Sequence, residues 1–219
     1  MLVEVWSDVV CPWCYIGKRR FEKATRRLAA DPSFDEEIEV IYRPYQLDPS
    51  APPGTSMPVP EVYARKFGGA EAAARILRQV TETAAEEGLE FRLDQAQRAN
   101  TRDAHRLLWW AHETGPSGAQ DALKERLLRA YFTDGDNIGD PDVLVRCATE
   151  VGLDAGAARA ALDDGTGAAE LAESLGFAAE QGITAVPTYV IDGRWSVPGA
   201  QDADTFVQVI TRLAARDGD

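Results

Sequence analysis

The run that most constrains this chain is Val9-Val10-Cys11-Pro12-Trp13-Cys14-Tyr15-Ile16-Gly17. It joins a short apolar stretch, residues 2–6, to a strongly helical stretch that starts near Pro12. A strand, a tight turn and a helix start therefore meet with two cysteines at the junction. Proline at the first helical position forfeits no hydrogen bond, and its fixed φ is already helical. A sulfur at that position faces free backbone N–H donors and the positive end of the macrodipole, which favours negative charge on it. Cys11 is thus the candidate nucleophile. Cys14, one turn deeper on the same face, is spaced to attack a mixed disulfide formed at Cys11 and release the partner. The pair reads as a redox couple. Half of a zinc site would need two further ligands, and Cys147, His105 and His112 are too scattered to form a second knuckle. No metal is expected.

The 219 residues allow one substantial core, or a small domain carrying a large insertion. A net charge of −13 argues against nucleic acid as a partner, because phosphate backbones repel such a field. Lys18, Arg19, Arg20, Lys23, Arg26 and Arg27 form a local basic stripe, read here as a solvated helix face. No run approaches the roughly 20 apolar residues of a membrane span. The amino terminus is interrupted by Glu4 and Asp8 and lacks the pattern of a secretory leader, so a cytoplasmic location is expected. Three cysteines, two of them in the motif, suit a reducing compartment. Cys147, on an apolar helical stripe between Val143 and Val151, reads as a buried small hydrophobe.

Taken in order, residues 2–6 are apolar enough for a central strand covered on both faces. A helix over 12–30 and an alternating strand over 37–43 complete a parallel βαβ unit. Residues 44–60 hold six prolines and read as a loop beside the site. Helices follow over 70–88, 101–113, 119–132, 141–151, 155–162 and 167–181. Residues 183–191 then read as a strand region led in by Pro187, Asp192-Gly193 as a two-residue hairpin turn, and 194–197 as the returning strand. A closing helix carries Phe206, Val209, Ile210 and Leu213. This order gives an α/β fold, with residues 1–50 and 183–219 forming one domain and 51–182 a helical insertion.

Further residues carry lesser signals. Asp8, three before Cys11, is read as a proton acceptor for Cys14 or as a turn residue. His105, Trp109 and His112 share a helix face, but the two histidines lie two turns apart and read as packed side chains, not a metal pair. Asn100 and Thr101 read as a helix cap.

A strand ending in CPWC, with a distant Val-Pro-Thr ahead of a hairpin and a closing helix, resembles the thioredoxin superfamily. The helical insertion resembles the DsbA branch. More narrowly, DVVCPWCYIG, RPYQLDP, NTRDAHRL and ITAVPTYVIDGRWSVPGAQ resemble the FrnE-like members, cytosolic relatives of 2-hydroxychromene-2-carboxylate isomerases and kappa-class glutathione transferases. The resemblance implies a thioredoxin fold with a large α-helical insertion. It also implies Cys11 as attacking thiol, Cys14 as resolving thiol and Pro187 as a cis-proline beside them, without metal or organic cofactor. Pro12, Trp13, Val186 and Gln201 would border protein or small-molecule thiol and disulfide substrates. Those relatives typically have serine where Cys11 stands, so disulfide chemistry is expected here in preference to glutathione conjugation. The thiol-binding region of the family maps to Gly199, Ala200 and Gln201, where Ala200 offers no side-chain hydrogen bond. A glutathione-dependent transferase or isomerase and a redox-inactive binding module are the alternative readings.

Overall fold

A computed structural model describes residues 1–217; the last two residues of the 183–219 stretch lie outside it. Strand β1 (Leu2–Ser7) leads through the motif into helix α1 (Pro12–Ala29) and strand β2 (Glu39–Pro44). β1 and β2 pair in parallel, Leu2 opposite Glu39 and Ser7 opposite Pro44. Residues 44–60 are not wholly irregular, as their prolines suggested. They contain a two-residue strand, β3 (Met57–Pro58), and the start of a short helix, α2 (Val59–Lys66). After α3 (Ala70–Glu86), strand β4 (Gln97–Arg98) pairs antiparallel with β3. A two-residue ladder carries no periodicity to read.

The helical layer continues with α4 (Arg102–Thr114), α5 (Ala119–Arg129), α6 (Pro141–Glu150), α7 (Ala155–Asp163) and α8 (Ala168–Glu180). All lie within two or three residues of the expected bounds, except that α5 ends in a π-helical turn over Ala130–Asp134. Strand β5 covers only Thr188–Ile191, because the stretch before it bends at a cis Val186–Pro187 bond. Strand β6 (Trp195–Pro198) and helix α9 (Ala203–Asp217) close the chain. The hairpin turn is one residue longer than the two expected: Ile191 pairs with Trp195, so Asp192, Gly193 and Arg194 form it, with Asp192 and Gly193 at φ 48 and 66. The main sheet runs β2-β1-β5-β6, so β1 is central.

Two cores flank α1. Phe21, Ala24 and Leu28 pack with Val3, Val5, Tyr189 and Ile191 of the sheet and Phe206, Ile210 and Leu213 of α9. Tyr15 and Ile16 instead join a second cluster with Leu107, Leu123, Leu127 and Phe132 of the helical layer. The opposite sheet face is mixed: Trp6 stacks on Phe177 of α8, and Glu4 pairs with Arg43.

The basic stripe on α1 is a solvated face only at its far end, where Arg26 and Arg27 are exposed. Lys18 is buried among Glu22, Asp121 and Glu125, Arg19 reaches Glu125 at 2.6 Å, and Arg20 and Lys23 share Glu87. These cations clamp α1 to α5 and α3.

Candidate functional site

The motif leaves β1 through the buried Ser7, Asp8 and Val9 and enters α1 with Cys11 as its N-cap. Cys11 is extended (φ −87, ψ 114), Pro12 opens the helix, and the Cys14 N–H donates to Cys11 Sγ at 3.3 Å. Both thiols are free and only 3% exposed, whereas Trp13 between them is 41% exposed. On its other side Cys11 faces the segment ahead of β5, its thiol donating to the Val186 carbonyl at 3.7 Å. The structure thus brings Cys11, Pro12, Trp13, Cys14, Val186 and Pro187 together.

The loop after β6 completes this wall. The Gly199 N–H donates to the Pro187 carbonyl at 2.7 Å, and Arg20 donates to the Ala200 carbonyl at 2.9 Å. Gln201 turns its amide back onto the Pro198 carbonyl at 2.7 Å. Gly17 explains itself here: a Cβ would stand 2.7 Å from the Tyr189 hydroxyl and 3.0 Å from Pro187. Any side chain at that position would push the segment ahead of β5 away from α1.

Cys14 sits in a different environment, beneath the surface and against the helical layer. Burial first, and then the neighbouring Cys11 sulfur, push its thiol well above the ordinary range, while Lys124 pulls the other way. Asp8 is fully buried. Its Oδ2 accepts from the Leu47 N–H at 2.7 Å, and its Oδ1 lies 3.1 Å from His105 Nε2. That nitrogen is also 3.0 Å from the Tyr45 carbonyl. Both neighbours are acceptors, so Nε2 carries the hydrogen. His105 therefore ties α4 to the turn after β1 and to the proline-rich loop, while His112 is exposed on the same helix. No group of acidic, histidine and cysteine side chains suited to a metal occurs among the described residues.

Lys124 was hidden from sequence reasoning. It is 1% exposed, has no hydrogen-bond partner among the described residues, and lies over the Tyr42 ring at 5.5 Å. Burial pushes its amine down to about 8, against the pull of Cys14, Asp8 and Cys11. A lysine among the polar positions of α5 reads as solvent-facing, and only the packing of α5 on α1 reveals it. Cys147 is fully buried, as expected, and burial pushes its thiol up to about 11. Asn100 accepts from the Arg102 N–H at 2.9 Å and donates to the Ala51 carbonyl at 2.6 Å. It thereby pairs the first N–H of α4 from just outside the helix, whose N-cap is Thr101 without a side-chain cap bond, and pins the proline-rich loop.

A strand-to-helix dithiol facing a cis-proline defines a thioredoxin-like protein with a helical insertion. The chain belongs to the DSBA-like thioredoxin domain family, whose model matches residues 2–211. It is similar to the uncharacterized protein YwbO of Bacillus subtilis (strain 168), with 30% identity over 95% of both chains. Among solved structures it is similar to a probable DsbA oxidoreductase, SCO1869 from Streptomyces coelicolor. The two share 39% identity and a TM-score of 0.88 over 98% of this chain and 90% of that one. It also shares its fold with a 2-hydroxychromene-2-carboxylate isomerase, at 16% identity and a TM-score of 0.67, covering 100% of this chain and 98% of that one. These neighbours agree with the DsbA-family, FrnE-like resemblance drawn from the motifs. The general chemistry they support is that of a thiol oxidoreductase.

Proposed function

We propose that the chain exchanges disulfides with protein or small-molecule partners through Cys11 and Cys14, with no metal or organic cofactor. The observation that carries this reading is the division of labour at one helix start. Cys11 caps α1 and faces the segment carrying Val186 and Pro187, while Cys14 lies beneath it as a free thiol. Cys11 attacks a substrate disulfide, one substrate sulfur leaves as a thiol, and Cys14 then attacks Cys11 to release the second. The protein dithiol is oxidised as the substrate disulfide is reduced, and the reverse direction oxidises a substrate dithiol. Pro12, Trp13, Val186 and Pro187 border the substrate, and Gln201 shapes the same wall through its backbone loop. Residues 1–50 and 183–219 act as the thioredoxin-like domain and 51–182 as its insertion. The location is cytoplasmic, where a dithiol stays reduced between cycles.

The test is Cys14→Ser. Disulfide exchange requires the second thiol for resolution, whereas a transferase or isomerase working on a bound thiol needs only the first position. The variant should lose turnover of protein disulfides and accumulate a covalent adduct at Cys11, seen as an added partner mass removed by reductant. A glutathione-dependent activity that survives Cys14→Ser unchanged, beside negligible disulfide turnover by the wild type, would replace this reading with conjugation.

A further inference from the structure

On the sheet face turned away from α1, a cleft of about 730 Å³ opens between α8 and strands β1 and β2, walled by Trp6, Trp109 and Phe177. It continues into the narrow cavity that Lys124 lines, since Arg43, Trp109, Glu170 and Ser174 border both spaces. The inner space offers about 20 Å³, room for one water-sized group. Most polar side chains at this closed end are already committed. His105 Nε2 serves Asp8 and the Tyr45 carbonyl, and both ends of the Gln120 amide pair with the Tyr42 backbone. Lys124 is not committed: it is 1% exposed and its amine has no hydrogen-bond partner among the described residues. A buried ammonium is ordinarily met by an acceptor, and here a ligand would have to bring it.

The mouth has the opposite character. Glu170, Glu173 and Glu180 share one face of α8 with Phe177, which is 49% exposed. Helix α8 contains no lysine or arginine, and none of the three glutamates has an ion-pair partner among the described residues. Across from them Arg43 is held by Glu4 at 2.7 Å. The cleft is therefore cationic at its closed end, anionic at its mouth and aromatic between. A simple anion would be repelled on entry by three carboxylates, and a simple cation would leave Lys124 unpaired. A molecule carrying both charges, separated by an apolar stretch, satisfies both ends.

We propose that this cleft binds a small zwitterion of the ω-amino carboxylate class. Its carboxylate accepts from Lys124 at the closed end, its ammonium meets Glu170 and Glu173 at the mouth, and its methylene chain lies on Trp109. An ammonium beside Phe177 also gains from the ring face. The site lies across the sheet from α1 and stands independently of the disulfide-exchange reading.

The experiment is calorimetric titration of the full chain with the series from 4-aminobutanoate to 8-aminooctanoate, beside the alkanoate and the alkylamine of matching length. The best amino carboxylate should bind roughly tenfold or more tightly than either single-ended analogue, as a second charge-assisted contact provides. In Lys124→Met the carboxylate loses its partner, so the zwitterion should fall to the affinity of the alkylamine. In Glu170→Gln combined with Glu173→Gln it should fall to that of the alkanoate. Both glutamates are exposed, so this variant carries the test if Lys124→Met does not fold. No binding of any member by the wild type at about 10 mM would overturn the inference. So would a zwitterion bound no more tightly than either analogue, or an affinity unchanged in folded Lys124→Met or in the double glutamine variant.

Discussion

Cys11 and Cys14 are three residues apart and equally hidden, each 3% exposed, yet they meet different groups. Cys11 is held by α1 and by the segment ahead of β5, beside the exposed Trp13. Cys14 is held against the helical layer, where Asp8, His105 and Lys124 are buried together. Exposure does not separate the two thiols; surroundings do. One helical turn suffices to give two cysteines of one motif different surroundings.

Breaking the Cys14 side should cost the most stability. Asp8→Ala removes the partner of the half-buried Leu47 N–H and one of the two acceptors of His105, which keeps the Tyr45 carbonyl. An unsatisfied buried donor costs about 1 to 3 kcal/mol, so a loss in that range is expected in urea unfolding. A loss under about 1 kcal/mol would mean that the pair does not secure this half.

Lys124 sharpens the comparison in the opposite direction. A lysine whose amine falls from 10.5 to about 8 on folding disfavours the folded state by roughly 3 kcal/mol at pH 7, at about 1.4 kcal/mol per tenfold. Between pH 8 and 10.5 the unfolded chain binds more protons at this site, so wild-type stability should rise with pH through that window. Lys124→Met should be more stable than wild type at pH 7 and lack that rise, as shown by unfolding midpoints at several pH values.

The smallest stability effect belongs to the Cys11 side. Trp13→Ala should leave stability within about 0.5 kcal/mol, because the ring is 41% exposed. Turnover of a peptide disulfide should fall severalfold while a small aryl disulfide is handled as before. Equal loss on both substrates would remove Trp13 from the substrate border.

Much of this was legible in the sequence because periodicity and turn chemistry are local. CPWC after an apolar strand, Asp192-Gly193 in its hairpin and the stripes of α3 to α8 each encode their element within a few residues. The Val186–Pro187 bond was drawn from the family resemblance, and is cis in the structure. What escaped depends on distant elements meeting. The β3–β4 ladder is too short to show alternation. The basic stripe of α1 read as solvated until Asp121, Glu125 and Glu87 were seen against it. Asp8, His105 and Lys124 lie 97 and 19 positions apart along the chain, and only the fold unites them.

The central claim, one motif with two thiol environments, is tested most directly by timed carboxamidomethylation of the native reduced protein at pH 7, with each cysteine followed by peptide mass. Only thiolates react, burial holds Cys14 well above the ordinary thiol range, and Cys147 is pushed up to about 11. Cys11 should be modified first, with Cys14 and Cys147 slower by roughly tenfold or more. Equal rates at Cys11 and Cys14, or Cys14 reacting first, would contradict the account.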